Sequence, residues 1–263
     1  MQRRQIEFKI IAHKIFILLP CLFFLQWPQL FGADYNAIST SRPGIGNSTS
    51  AIPTGLYQFE LGTHFMTSPG MDTTITVPIL IRLGVMENTE LQMGYTGSSL
   101  TLGVLYGGIH IISGLENSIM LTTSLPIPMN GISYEENNDS LIEFSAYLPI
   151  SYSFQNGFSV GSQIAGTFYN NEEINPIISY SLAIGSSLGK KTGWFFEAYQ
   201  SQTIGNESTT ENIPISVDYG ITYLFNNIVK LDLSMGLAFQ KNDSDYIETE
   251  RFLEGGVSFR LPE

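Results

Sequence analysis

Charge is scarce in this chain: Asp, Glu, Lys and Arg make up 14% of its 263 residues, against about 25% in ordinary soluble domains. A soluble sheet protein needs a charged outer face, so the shortage argues against water as the only solvent. Cysteine is nearly missing, and the single Cys21 leaves no intrachain disulfide to supply stability. Histidine occurs three times, and only His64 and His110 lie beyond the first 33 residues. Two histidines without cysteine form no metal set by spacing, and neither stands in a Ser–His–Asp pattern. No catalytic residue, metal or cofactor is therefore expected. With 12 basic against 24 acidic residues, the basic footprint that nucleic acid requires is absent. Long apolar runs are lacking too. The most apolar stretch, Ile15 to Leu25, spans eleven residues and contains Pro20, short of the ~20 that a transmembrane helix needs.

That stretch has a different reading. Arg3, Arg4, Lys9 and Lys14 precede or open it and Gly32-Ala33 close it before Asp34, the layout of a secretory signal peptide. Cleavage is expected after Ala33. The remaining 230 residues carry 8 basic and 23 acidic groups, a formal charge of −15. Residues 34–55 consist of short polar and breaker residues with no period, and are read as an irregular segment that either leads into the fold or plugs a lumen. Arg42 is its candidate plug contact.

From Leu56 onward the chain alternates. The most regular stretch places Ile213, Ile215, Val217, Tyr219, Ile221, Tyr223 and Phe225 at every second position, turns at Asn226-Asn227, and resumes with Val229, Leu231, Leu233, Met235, Leu237 and Phe239. Period two is the signature of strands, and paired Asn residues tolerate the positive φ of hairpin turns. Arms of about 11 to 13 residues exceed the ~5–6 of soluble strands and match what a tilted strand needs to cross a bilayer. The same pattern recurs from Tyr57 to Phe65, from Thr74 to Leu83 (with Pro78 as an interruption), and on to a last strand at Arg251 to Leu261. Twelve strands result. A closed, antiparallel, up-and-down transmembrane β-barrel over residues 56–263 is the fold expected, because only helices and closed barrels satisfy every backbone group in lipid.

Connections after odd-numbered strands are mostly long and acidic, whereas those after even-numbered strands are mostly short, as outer loops and periplasmic turns would be. Gly108 to Asn117 reads as a long turn and Gly97 to Ser99 as a short loop, against this trend, so a ten-strand barrel is the alternative. Aromatic residues form two bands, with Tyr57, Tyr106, Phe154, Phe158, Trp194 and Phe225 at one end and Phe65, Tyr95, Phe144, Phe168, Phe239 and Phe252 at the other.

Strand parity assigns Glu60, His64, Arg82, Glu90, Glu143, Glu197, Asp218, Lys230, Asp232, Glu254 and Arg260 to the inner face. Ionised groups facing a wet lumen avoid the ~2–4 kcal/mol that basic groups cost near the lipid midplane. They either form a salt-bridged filling or line a polar, cation-favouring path.

Three stretches carry a resemblance: Ile38-Ser-Thr-Ser-Arg-Pro43 with Ile52-Pro-Thr-Gly-Leu-Tyr-Gln-Phe-Glu60, Arg82-Leu-Gly-Val-Met-Glu-Asn-Thr-Glu-Leu91, and Asp218-Tyr-Gly-Ile-Thr-Tyr-Leu224 with Lys230-Leu-Asp-Leu-Ser-Met-Gly236. In these the chain resembles the bacterial outer-membrane barrel family of transporters assigned to the MetA pathway of phenol degradation. Ser41 stands where that family commonly has an aspartate. The chain ends Phe259-Arg-Leu-Pro-Glu263 rather than on an aromatic, leaving Phe259 as the signal for the barrel-insertion machinery. The resemblance implies passage of small hydrophobic or aromatic solutes across the outer membrane, with membrane lipid, that machinery and the solute as partners. The other classes are a non-transporting surface or structural barrel or adhesin, and a membrane-embedded hydrolase.

Overall fold

The computed structural model describes residues 38–41, 46–127, 141–171, 173–205, 215–241 and 247–261. Among them no helix is long and apolar enough to cross a membrane, and the chain is built from strands. These are β1 (Tyr57–Thr67), β2 (Thr74–Thr76), β3 (Ile79–Met86), β4 (Thr89–Tyr95), β5 (Ser99–Ile112), β6 (Leu115–Pro126), β7 (Glu143–Ser153), β8 (Phe158–Tyr169), β9 (Ile177–Leu188), β10 (Thr192–Thr203), β11 (Ile215–Asn226), β12 (Val229–Lys241) and β13 (Ile247–Leu261). Sequence neighbours pair antiparallel, and β13 pairs back onto β1 from Tyr57↔Leu261 to Thr67↔Arg251. The sheet therefore closes and leaves no edge. β2 and β3 both pair with β1 in one register, Met66↔Thr74 through Leu61↔Ile79. They are one barrel strand interrupted at Val77-Pro78, where proline has no N–H to give but its carbonyl still accepts from the Gly62 amide at 3.0 Å. The barrel thus has twelve strands.

The ten-strand alternative does not hold, because the turn expected at Gly108 to Asn117 is present but much shorter. Residues 108–112 and 115–117 belong to β5 and β6, and the chain reverses in the two residues Ser113-Gly114, with Gly114 at φ 84. The start of the expected turn is instead a bulge at Gly107-Gly108, which shifts the register between Tyr106 and Ile109. His110 consequently lies in a strand opposite Glu116, not in a turn without an acidic neighbour. The last strand also starts earlier than the alternation suggested, at Ile247. With these corrections every turn at this end is short, and Asn88, Gly114, Gly157 and Gly189 each supply the positive φ that reverses the chain. Asn226-Asn227 does not use positive φ. Its reversal follows a register shift between Leu224 and Asn226, and the Asn226 side chain accepts from the Ile228 amide at 3.0 Å.

The outer face is apolar and open to its surroundings, with Leu121, Ile164, Leu182, Ile221 and Phe225 all exposed, while Gln58, Glu60, Arg82, Glu90, Ser118 and Ser258 are buried. This inversion of the usual soluble pattern is what lipid as the outer solvent demands. Phe252 departs from the aromatic bands. It shares parity with Glu254 and Arg260, and its ring lies on Gly236 and 5.6 Å from the His64 ring. Position along the strand suggested a girdle residue, but parity decides the face.

The loop asymmetry gives a topological prediction. Cysteines at Asn156, Lys191 or Asn227 should label only after permeabilisation, whereas cysteines at Asn138, Asn206 or Ser244, which lie outside the described residues, should label on intact cells. The reverse pattern would overturn the orientation.

Candidate functional site

Three of the parity-assigned residues meet in one buried cluster near the short-turn end. The Arg82 guanidinium on β3 donates from Nε and Nη2 to both oxygens of Glu90 on β4, at 2.8 and 2.9 Å, and from Nη1 to Glu60 on β1 at 3.1 Å. All three side chains are fully buried. Gln58 and Gln92 steady the carboxylates, donating to Glu60 at 2.8 Å and to Glu90 at 2.6 Å. Burying such charges is costly unless every one is paired. Here the remaining capacity is taken up by the backbone of the segment that precedes β1.

The docking repeats itself. Ser39 and Ser50 each offer a carbonyl to Arg82, at 3.0 and 3.2 Å. Two residues further on, the Ser41 amide donates to Glu60 at 3.2 Å and the Ile52 amide to Glu90 at 2.8 Å. In extended chain the C=O of one residue and the N–H of the next but one point to the same side. The Glu–Arg–Glu set therefore pairs with two stretches of backbone as a neighbouring strand would, one on each side of the guanidinium. The Gln58 amide adds a 2.6 Å bond to the Ser39 carbonyl.

Two glycines let the backbone come close. A methyl group at Gly84 would collide with the Pro53 carbonyl, and one at Gly107 with the Thr49 carbonyl. The bulge at Gly107-Gly108 releases the Gly108 amide from the ladder, and it donates to that same Thr49 carbonyl at 2.7 Å.

Beyond the cluster the segment touches much of the wall. Ile38 donates to the Asn227 carbonyl at 3.1 Å, and Thr40 accepts from Lys230 Nζ at 3.0 Å. Asn47 donates to Gln163 on β8 through both backbone and side chain, at 2.9 and 3.0 Å. The Ser48 carbonyl accepts from Ser118 on β6 at 3.1 Å, and Thr49 bonds Ser151 on β7 at 3.0 Å. Ser50 reaches Glu116 at 2.9 Å. A neutral bond of this kind is worth about 0.5–1.5 kcal/mol and one to a charged group about 1.5–3 kcal/mol, so the segment is held more firmly at β1–β4 than at β6–β8.

The other candidate residues fall into place around this. Glu197 on β10 and Asp218 on β11 are directly opposed, and Gly46 lies against the Glu197 carboxylate and Ser181. Asp232 follows on β12 and Glu254 on β13, where Glu254 contacts His64 Nδ1 at 3.1 Å. Lys230 pairs in register with Ser258, and Arg260, two residues on, donates to the Asn227 carbonyl at 3.3 Å. Glu143 opens β7 opposite Tyr169 at the far rim. Arg42 lies outside the described residues. Among the described residues the inner wall from β6 to β9 is charged only near its ends, at Glu116 and Glu143; between them it carries Ser118, Ser145, Ser151, Gln163, Thr167, Ser179 and Ser181, interrupted by a row of Met120, Tyr147 and Ala165, with Ser145 bonded to Thr167 at 2.9 Å and Tyr199 donating to Ser179 at 3.1 Å. Sequence reasoning passed over Gln58, Gln92, Gln163 and these hydroxyls because it weighed charge. Parity alone would have placed them.

Comparison with known proteins agrees with this architecture. Residues 40–260 match the model of a family described as "Putative MetA-pathway of phenol degradation". No curated protein matches the chain in sequence. Among solved structures it is similar to the COG4313 outer membrane channel from Pseudomonas putida F1, at 9% identity and TM-score 0.59, over 83% of this chain and 100% of that one. It is also similar to the NanC porin, at 7% identity and TM-score 0.55, over 76% and 98%. A deletion mutant of the TodX monoaromatic hydrocarbon channel matches at 10% identity and TM-score 0.50, over 87% and 99%.

Proposed function

The chain belongs to the MetA-pathway of phenol degradation family, and from that membership and the lumen geometry we propose that it is an outer-membrane channel for small solutes, aromatic ones among them, plugged by its own residues 34–55. The observation that carries this reading is the docking of Ser39, Ser41, Ser50 and Ile52 on the Glu60–Arg82–Glu90 cluster: with Thr40 bonded to Lys230 on β12 and Asn47 to Gln163 on β8, the segment lies in the path any solute would take. The family description supports the aromatic solute class, as does the likeness to a monoaromatic hydrocarbon channel. Residues 1–33 serve as the export signal, cut after Ala33, and outer-membrane lipid meets the apolar outer face.

A hydrolase is the weaker reading. Among the described residues no hydroxyl bonds to either imidazole: His64 contacts Glu254, His110 lies 3.7 Å from Glu116, and the Ser50 and Thr49 hydroxyls reach the Glu116 carboxylate instead. A nucleophile must touch its base. A sealed structural barrel differs from a channel in one measurable respect. Liposomes containing protein without residues 34–55 should pass small neutral aromatics and sugars faster than liposomes with the whole mature chain. Equal flux from both would remove the plug, and absence of flux from either would favour the sealed barrel.

A further inference from the structure

The segment's two faces are held by different chemistry, and this difference locates the path. On the β1–β4 side its backbone is bonded to buried charges at both Ser39–Ser41 and Ser50–Ile52, and Gly84 lets Pro53 lie directly on the wall. On the β6–β8 side the bonds of Asn47, Ser48 and the Thr49–Ser151 pair join neutral groups. The charged exceptions, Ser50 and Thr49 to Glu116, sit at the boundary between the two.

Resting on the plugged-channel reading, we propose that solute passes between residues 46–49 and the hydroxyl wall of β6–β9, with the charged cluster at β1–β4 remaining docked as the fixed foot of the segment. Neutral bonds exchange with water and with solute hydroxyls at little net cost, whereas undocking the foot strands buried charges. The groups uncovered when Asn47, Ser48 and Thr49 lift are Gln163, Ser118 and Ser151, with Ser181 beside Gln163; the wall continues through the row Met120, Tyr147, Ala165 and Ser179 to the hydroxyls of Ser145 and Thr167 toward the far rim. A surface of this kind replaces the hydration of uncharged, hydrogen-bonding solutes such as phenols or small polyols. It offers no compensation to an anion, since Glu116 and Glu197 stand at its two margins.

The test uses the full mature chain in planar bilayers. Gln163→Cys alone removes the acceptor of both Asn47 bonds and should raise conductance roughly tenfold, the change that two such neutral bonds together make in an open–closed equilibrium. The pair Asn47→Cys with Gln163→Cys should conduct like that single variant when reduced, and fall to the parent level or below when joined by oxidation or a short bis-thiol reagent. A foot tether, Ile38→Cys joined to Asn227→Cys, whose backbones are bonded at 3.1 Å, should leave the high conductance of a Gln163→Ala background unchanged. Conductance that is blocked by the foot tether and not by the 47–163 tether would overturn the proposal, as would a Gln163→Cys protein no more conductive than the parent. If deleting residues 34–55 raises flux while these tethers behave in that contrary way, the plug stands and only its path is wrong. If deletion changes nothing, the plug itself fails.

Discussion

Replacing Arg82 by methionine should be the most damaging single change in the described lumen, at about 3–5 kcal/mol, because it leaves Glu60 and Glu90 buried with no cation between them. Both carboxylates are fully buried and each receives its strongest donors from this guanidinium. The barrel itself should still form, since its closure depends on the ladder from β1 to β13 and not on side chains. The segment should not stay docked. Arg82 holds the carbonyls of Ser39 and Ser50, and the carboxylates that hold the amides of Ser41 and Ile52 would turn toward water. Hydrogen exchange at these two amides should therefore accelerate toward the rate of an open chain, with conductance rising alongside it. A triple variant, Arg82→Met with Glu60→Gln and Glu90→Gln, should recover most of the lost stability because no buried charge is left unmatched. It should not recover protection of Ser41 and Ile52, since the arrangement of donors and acceptors that imitates a strand is gone. Unchanged exchange at both amides in the single variant would mean that the cluster stiffens the wall and does not hold the segment.

The strands were legible because lipid outside and water inside impose the same alternation on every one of them. Leu231, Leu233 and Met235 could only face out once Asp232 and Ser234 faced in. Where the alternation is broken by backbone geometry the bounds are not legible: the turn expected at Gly108 to Asn117 occupies Ser113-Gly114 alone, because a bulge uses the same positive φ as a turn, here 71 at Gly108. The inner face was readable residue by residue, but not its pairings. That Glu60 and Glu90 converge on Arg82 depends on the stagger between strands, with Arg82 opposite Gln58 on one side and Gln92 on the other, and stagger leaves no trace in periodicity. Least legible was the docking of residues 38–41 and 46–56. Ser39, Ser41, Ser50 and Ile52 contribute backbone groups, which every residue has, so no side-chain pattern announces them. Only the collisions that methyl groups at Gly84 and Gly107 would cause are written in the sequence, and they are written as two more glycines in strands.

Removing the charge from Glu197 and Asp218 should change which ions the lumen admits. The two carboxylates are directly opposed on β10 and β11, and Gly46 rests against Glu197 at the margin of the hydroxyl wall. Asp232 and Glu254 extend the same acidic face along β12 and β13, and Lys230, two residues from Asp232, and Arg260 border it on the side of the Asn226-Asn227 turn. A narrow passage bordered by fixed negative charge lowers the energy of cations and raises that of anions, because low-dielectric walls concentrate the field. We therefore expect a weak cation preference in the parent, reported by the reversal potential in a salt gradient. Glu197→Gln with Asp218→Asn should move that potential toward zero at low salt. The difference should shrink as salt rises, since screening acts within about 10 Å at 0.1 M. Both substitutions keep the size of the side chains and leave them polar, with an NH2 donor in place of one acceptor oxygen, so the hydroxyl wall beside them should keep its conductance for uncharged solutes. A reversal potential unmoved by the double substitution at low salt would place the permeating ions elsewhere in the lumen, away from the β10–β11 wall. Loss of neutral-solute flux together with cation preference would mean instead that the pair holds the segment in place and does not filter what passes it.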